Sequence, residues 1–195
     1  MSLKTLLPCF ACMMSLIASC APVLKGPLDS TKPEAAAATL DHGYTLLTEL
    51  LQNESQVTLL FSIKHGDKKV QSLLTRISDT AASTRTALIA LVAKQPPITI
   101  SGNGLPLIEQ STRNALSNST AAALLLAGDS FELQLLLSQD KACSYAAALC
   151  TALAEADANV ARSDVLANAT KLFNGYAEEI VAMLTLRRAS GASSQ

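Results

Sequence analysis

The sequence predicts an all-α protein: four long helices in a bundle, a short connecting helix between the second and third, and a lipoprotein signal peptide and flexible tether in front. Three observations predict it. About a third of the 195 residues are Ala or Leu, both strong helix formers. Apolar residues recur at three- and four-residue spacing through most of residues 35–188. Residues 1–19 carry the charge, the apolar run and the small residues of an exported precursor. Composition also bounds function. With 49% hydrophobic and 16% charged residues the chain has ample surface to bury and is not of the disordered class. Aromatics are 4% and Trp is absent, which leaves little stacking surface for bases or sugars. The 15 basic and 16 acidic residues give a net charge of −1, which argues against a nucleic-acid partner held through phosphates.

Lys4 supplies a positive start, and residues 5–17 form an apolar run too short for a stable membrane-spanning helix. The run ends in Ile17-Ala18-Ser19-Cys20, which resembles the bacterial lipobox, an aliphatic residue and two small ones before a cysteine. Small side chains fit the signal-peptidase subsites, and the Cys20 thiol accepts the lipid. An ordinary signal peptide cut near Ala18 or Ala21 is the alternative. Cys9 and Cys12 fall in the removed segment. Residue 21 is Ala rather than Asp, which by resemblance to enterobacterial lipoproteins favours the outer membrane, facing the periplasm. Residues 20–34 then form the lipidated cysteine and its tether. The stretch 21–33 holds three prolines and a glycine, and fully extended it reaches roughly 45 Å at about 3.5 Å per residue.

Residues 35–65 read as one long helix, with Leu40, Leu47, Leu50, Leu51, Val57, Leu60 and Phe61 on a broad stripe. Gly66 is expected just past its end, and Asp67 as N-cap of the next helix. That helix, 67–94, buries Val70, Leu73, Leu74, Ile77, Ala81, Leu88, Leu91 and Val92. Lys68, Lys69, Gln71, Arg76 and Arg85 are left for its wet side, and Pro96-Pro97 stops it. Residues 98–105 are a loop. Pro106 opens a weaker helix to about residue 127, rich in Ser, Thr and Asn, with a break near Asn118. Asp129-Ser130-Phe131-Glu132 has the form of a capping box, Asp129 at N-cap and Glu132 at N3. The helix it opens, to about 156, carries Phe131, Leu135, Ala142, Ala146, Leu149 and Leu153 on one face. After a polar turn at 157–159 the last helix runs to 188, with Leu166, Ala169, Leu172, Phe173, Tyr176, Ile180, Met183 and Leu184 on its stripe. Arg187 and Arg188 suit the negative end of that helix, and 189–195 is a frayed tail.

Short turns join the first and last helix pairs, whereas the middle connection is long enough to cross the bundle, the ferritin-like arrangement. Two stretches carry a family resemblance. The first runs from Asn53-Glu54-Ser55 through Val70-Gln71-Ser72-Leu73-Leu74 to Ile77-Ser78-Asp79-Thr80, then from Leu88 to Ile98. The second is Leu126-Ala127-Gly128-Asp129-Ser130-Phe131-Glu132. Both resemble the ferritin-like bacterial family of predicted outer-membrane proteins known as domain of unknown function 4142, over most of residues 40–186. Members of that family carry histidines near the middle of the second and third long helices. Here those places hold Asp79-Thr80-Ala81 and Cys143, so a metal or proton role for such histidines does not carry over.

The residues support no reaction. A di-iron bundle needs inward Glu-x-x-His pairs, but Thr39 and Ser62 stand three residues before His42 and His65. His65 reads as a helix-end residue and His42 as solvent-exposed. There is no G-x-S-x-G, P-loop or H-E-x-x-H motif, and Ser130 has no histidine nearby in sequence to activate it. Glu178 and Glu179, adjacent on a helix, point in different directions. Tyr145 and Tyr176 fall on the rim of the core. Cys143 and Cys150 lie two turns apart on one helix face, about 10 Å, too far for a disulfide, and read as small buried hydrophobes. We therefore expect a non-catalytic, lipid-anchored envelope protein without cofactor or metal: a structural or interaction module with an envelope partner. The alternatives are a carrier of a small apolar ligand, with room at Ala146, Ala147 and Ala148, and a degenerate metal site of Cys143, Glu54 and Asp79.

Overall fold

A computed structural model describes residues 33–62, 64, 66–101 and 105–192. The expected signal peptide, Cys20, most of the expected tether and His65 lie outside the described residues. The described chain is all helical: α1 (Pro33–Glu54), α2 (Lys68–Leu91), α3 (Leu107–Leu126), α4 (Phe131–Ala156) and α5 (Val160–Ala192), with 3₁₀ turns at Val57–Ser62 and Gly128–Ser130. None of these helices is long and apolar enough to cross a membrane by itself.

Hydrogen bonds between helices set their directions. Ser55 meets Ser78 while Asp41 meets Thr99, so α1 and α2 are antiparallel. Tyr44 meets Asp157 and Glu54 meets Gln139, so α1 and α4 are antiparallel too. Arg76 pairs with Glu179 and Arg162 reaches Leu91, which opposes α5 to α2. It follows that α2 and α4 point the same way, and α3 returns the chain from the far end of one to the start of the other. One core is shared by α1, α2, α4 and α5 around Tyr44, Leu47, Leu51, Leu73, Leu74, Ile77, Leu135, Leu136, Leu166 and Phe173. The most extensive helix contact is α4 against α5. Small residues at Ala146, Ala147, Cys150 and Ala169 let these two helices approach closely. The room expected at Ala146 and Ala147 is thereby filled, and Ala148 faces solvent.

Several local expectations change. The first helix does not continue to residue 65. Ser55 Oγ bonds the Gln52 carbonyl at 2.7 Å, and the Ser55 carbonyl is taken by Ser78 Oγ at 2.6 Å. With that carbonyl engaged by α2, the chain turns and tightens into 3₁₀ geometry, which lays Phe61 edge-on against Phe131, centroids 6.4 Å apart. Gly66 is not a left-handed cap. A Cβ there would stand 2.7 Å from Phe61 Cε1, so close packing is what requires glycine. Asp67 does cap α2, accepting from Lys69 N–H at 2.6 Å.

Helix α2 ends at Leu91, before Lys94. The connecting helix is not short: α3 has 20 residues and runs unbroken through Asn118. The capping box at residue 129 does not form. Gly128 takes a left-handed φ of +52°, α4 starts at Phe131, and the Glu132 carboxylate reaches across to Asp67 N–H and to Arg187. Glu132 thus ties the start of α2 to α5 instead of closing its own helix. On α4 the buried face is Phe131, Leu135, Leu136, Gln139, Cys143, Ala146, Ala147, Cys150 and Leu153, with Ala142 and Leu149 at its margin. On α5, Leu172 is exposed, and the helix continues to Ala192, beyond the expected end at 188.

Candidate functional site

Two polar groupings stand out against the Leu-rich interior. The first joins Tyr44 of α1, Asp157 in the turn after α4 and Arg162 in the first turn of α5. All three are buried, and Arg162 is the largest fully buried side chain described. Arg162 Nε and Nη2 donate to the two Asp157 carboxylate oxygens at 2.5 and 2.9 Å. Its remaining hydrogens go to the carbonyls of Leu91 (3.2 Å), Lys94 (2.9 Å) and Pro96 (2.7 Å). Tyr44 Oη donates to Asp157 Oδ2 at 2.6 Å. All five guanidinium donors are used, so the group closes the open end of α2, where Pro96-Pro97 prevents further helix, and locks it to α4, α5 and α1. Burial alone would raise the Asp157 carboxyl pKa, but hydrogen bonds from Arg162, Tyr44 and the Asn159 N–H outweigh it and hold the group below its ordinary value. Burial, with Asp157 alongside, pushes the Tyr44 hydroxyl upward. A network this complete offers no atom to a ligand. Its chemistry is structural.

The second grouping lines a groove of about 1690 Å³ between α3 on one side and α1 and α4 on the other. Helix α3 stands off the core. Only Leu124 is buried, and Arg113 holds Glu49 of α1 at 2.6 Å. At the groove wall Glu54 Oε2 accepts from Gln139 Nε2 at 2.9 Å. Burial pushes the Glu54 carboxyl up, with the Gln139 hydrogen bond opposing. Gln139, 4% exposed, has no partner for its Oε1, and Arg85, from α2, has an enclosed Nε without a partner. Arg85 is thus half-buried at the groove rather than fully exposed on α2. Apolar wall is supplied by Leu50, Val57, Leu116, Leu124, Leu135 and Ala142.

The remaining candidate residues fall as follows. Cys143 and Cys150 are free and buried. Burial, with Glu54 and Asp140 adding for Cys143, raises both thiols to about 12, which keeps them protonated and poorly nucleophilic near neutral pH. Cys143 and Glu54 are neighbours, but Asp79 is exposed elsewhere on α2, and the described residues contain no cluster of three or more His, Cys, Asp or Glu placed to hold a metal. His42 is exposed on α1. Glu179 pairs with Arg76 while Glu178 faces solvent, so the two do not act together. Ser130 Oγ donates to the Ala127 carbonyl. Tyr176 sits on the core rim, sharing a hydrogen bond with Thr80 at 2.8 Å, but Tyr145 is exposed and borders the groove.

Sequence reasoning passed over both groupings. A signal existed for the first: Arg162, Leu166, Ala169 and Phe173 share one helical stripe, and Asn159 caps α5 three residues before the arginine, accepting from its N–H at 3.0 Å. No local signal marked Arg85 or Gln139. No family model, curated protein or solved structure matches the chain.

Proposed function

We propose that the chain is a non-catalytic helical-bundle protein of the bacterial envelope, ferritin-like in its connectivity, anchored by lipid on Cys20 and serving as an interaction module for another envelope protein. One observation carries the interaction reading. The interior of α1, α2, α4 and α5 is filled, yet α3 leaves Leu107 80%, Ile108 83% and Leu126 85% exposed on a helix that contributes little to that core. Leu107 and Ile108 at one end of α3 and Leu125 and Leu126 at the other give apolar footholds that a partner laid along the helix would cover together. The parallel course of α2 and α4, bridged by α3, supports the ferritin-like connectivity. The Ile17-Ala18-Ser19-Cys20 motif supports the anchor. The fully satisfied Tyr44–Asp157–Arg162 network and the buried thiols support a non-catalytic reading.

The test uses the full-length chain, tagged at its C-terminus and recovered from its own envelopes. A partner identified by mass spectrometry should be lost from a Leu107→Ser/Leu126→Ser variant. The same proteins recovered with both forms would refute docking on α3. Intact mass and fractionation of wild type and Cys20→Ala test the anchor. It fails if both are soluble and carry no lipid. A second reading, a carrier of a small ligand, is favoured by the groove beneath α3.

A further inference from the structure

Two residues of the groove wall each carry a buried polar atom that the protein itself leaves unmatched, the Arg85 Nε donor and the Gln139 Oε1 acceptor. Buried polar groups are ordinarily paired, and a side chain 4% exposed such as Gln139 has little access to bulk water. Their spacing can be read from the helices. Ser78 Oγ bonds the Ser55 carbonyl, which sets that level of α2 beside Glu54 and so beside Gln139. Arg85 follows Ser78 by two turns of α2, about 10 Å along the axis. The walls beside these two points include Leu50, Leu116, Leu124 and Leu135. The groove lining is balanced in charge, with Arg85, Arg113 and Lys141 against Glu49, Glu54 and Glu109. Arg113 is paired with Glu49 and Glu54 accepts from Gln139, whereas Arg85 has no acidic partner among the described residues and keeps an enclosed donor unmatched, which makes it the anchor for an anionic group. The volume, about 1690 Å³, exceeds the roughly 300–1,000 Å³ of a pocket for a compact molecule. The groove also follows α3 along much of its length, which suits a long ligand.

We propose that this groove binds a long-chain anionic amphiphile. Its carboxylate accepts from Arg85, its chain lies between α3 and the α1–α4 wall, and a hydroxyl or amide hydrogen further along donates to Gln139 Oε1. The proposal rests on the carrier reading; the groove shares Ile108 with the exposed face of α3, while Leu107 and Leu126 lie outside it.

The test keeps the full-length protein in phosphatidylcholine vesicles and uses 8-hydroxydodecanoate, whose hydroxyl stands about 10 Å from its carboxylate when extended, bearing a photoreactive diazirine in its chain. Cross-linked positions are read by tandem mass spectrometry. Labels should fall on groove residues such as Leu116, Leu124 and Leu135. Dodecanoate should compete, while dodecyltrimethylammonium at equal concentration should not. Arg85→Gln should raise the half-saturating probe concentration about tenfold, the loss of one charge-assisted hydrogen bond, and Arg85→Lys should restore part of it. Gln139→Leu should make 8-hydroxydodecanoate no better a competitor than dodecanoate. Labels scattered over the exposed helices, or equal competition by the cationic amphiphile, would overturn the proposal. Both readouts need only wild-type protein, so a variant that fails to fold does not shelter it.

Discussion

Replacing Arg162 with Met tests the reading of the buried network. The substitution keeps an unbranched, flexible side chain, shorter than arginine, but removes five hydrogen bonds at once, two to Asp157 and three to carbonyls at and just beyond the end of α2. The dominant loss is electrostatic. Both side chains of the ion pair are 0% exposed, and breaking a buried pair by deleting one partner costs about 3–5 kcal/mol. The orphaned carbonyls of Leu91, Lys94 and Pro96 add to that wherever water does not reach them. Tyr44→Phe deletes one bond to a charged acceptor and should cost about 1.5–3 kcal/mol.

The pH dependence gives a second signature. In wild type the Asp157 pKa is held below its ordinary value of 3.8. The stability this contributes is present above the unfolded value and lost as pH falls through the lower, folded one. Without Arg162 the buried carboxylate is no longer favoured, and its pKa moves upward, so protonation relieves the variant as the solution is acidified. The deficit of Arg162→Met should therefore be largest near neutrality and shrink toward pH 3. Urea unfolding followed by far-ultraviolet circular dichroism at pH 7, 5 and 3 measures both effects, and suits a chain without Trp. A deficit under about 1 kcal/mol at pH 7, or one that grows on acidification, would refute the reasoning.

Three further outcomes follow from the packing. Phe131, 4% exposed and set against Phe61, should lose about 3–5 kcal/mol as Phe131→Ala, whereas Asp129→Ala, which removes no cap, should stay within about 0.5 kcal/mol in the same denaturation assay. A Cβ on Gly175 meets nothing within 4 Å, so Gly175→Ala should gain about 0.5–1 kcal/mol. Gly43→Ala would set a Cβ 2.6 Å from Leu153 Cδ2 and press α1 against α4, so it should fall at least about 1 kcal/mol below Gly175→Ala in thermal melts, and equal melting temperatures would contradict the packing. Cys143 and Cys150, with thiols raised to about 12, should resist an aromatic disulfide reagent at pH 8 in the folded protein and react at once in urea, a contrast visible by absorbance.

What the sequence by itself determined about this protein is its all-helical class, the apolar faces of its long helices and the signals that act within one turn of chain. Asp67 caps α2 because its carboxylate and the Lys69 amide are two residues apart. Pro96-Pro97 bars further helix whatever surrounds it. Cys143 and Cys150 stay unbridged because a helical spacing of seven holds them apart. Tertiary structure decided every feature in which a polar group had both a local and a distant partner on offer. Glu132 had its own helix start to cap but went to Asp67 N–H and Arg187. The Ser55 carbonyl went to Ser78 and cut the first helix short. Arg162 looks like a surface residue by type and becomes the largest fully buried side chain because five acceptors converge on it from residues 91 to 157. Arg85 and Gln139 acquired meaning only when α3 stood off from α1 and α4 and left a groove between them. The physical reason is range. Propensity, caps and proline act over three or four residues, whereas the partner of a buried charge is chosen among all the groups that folding brings within about 3 Å of it.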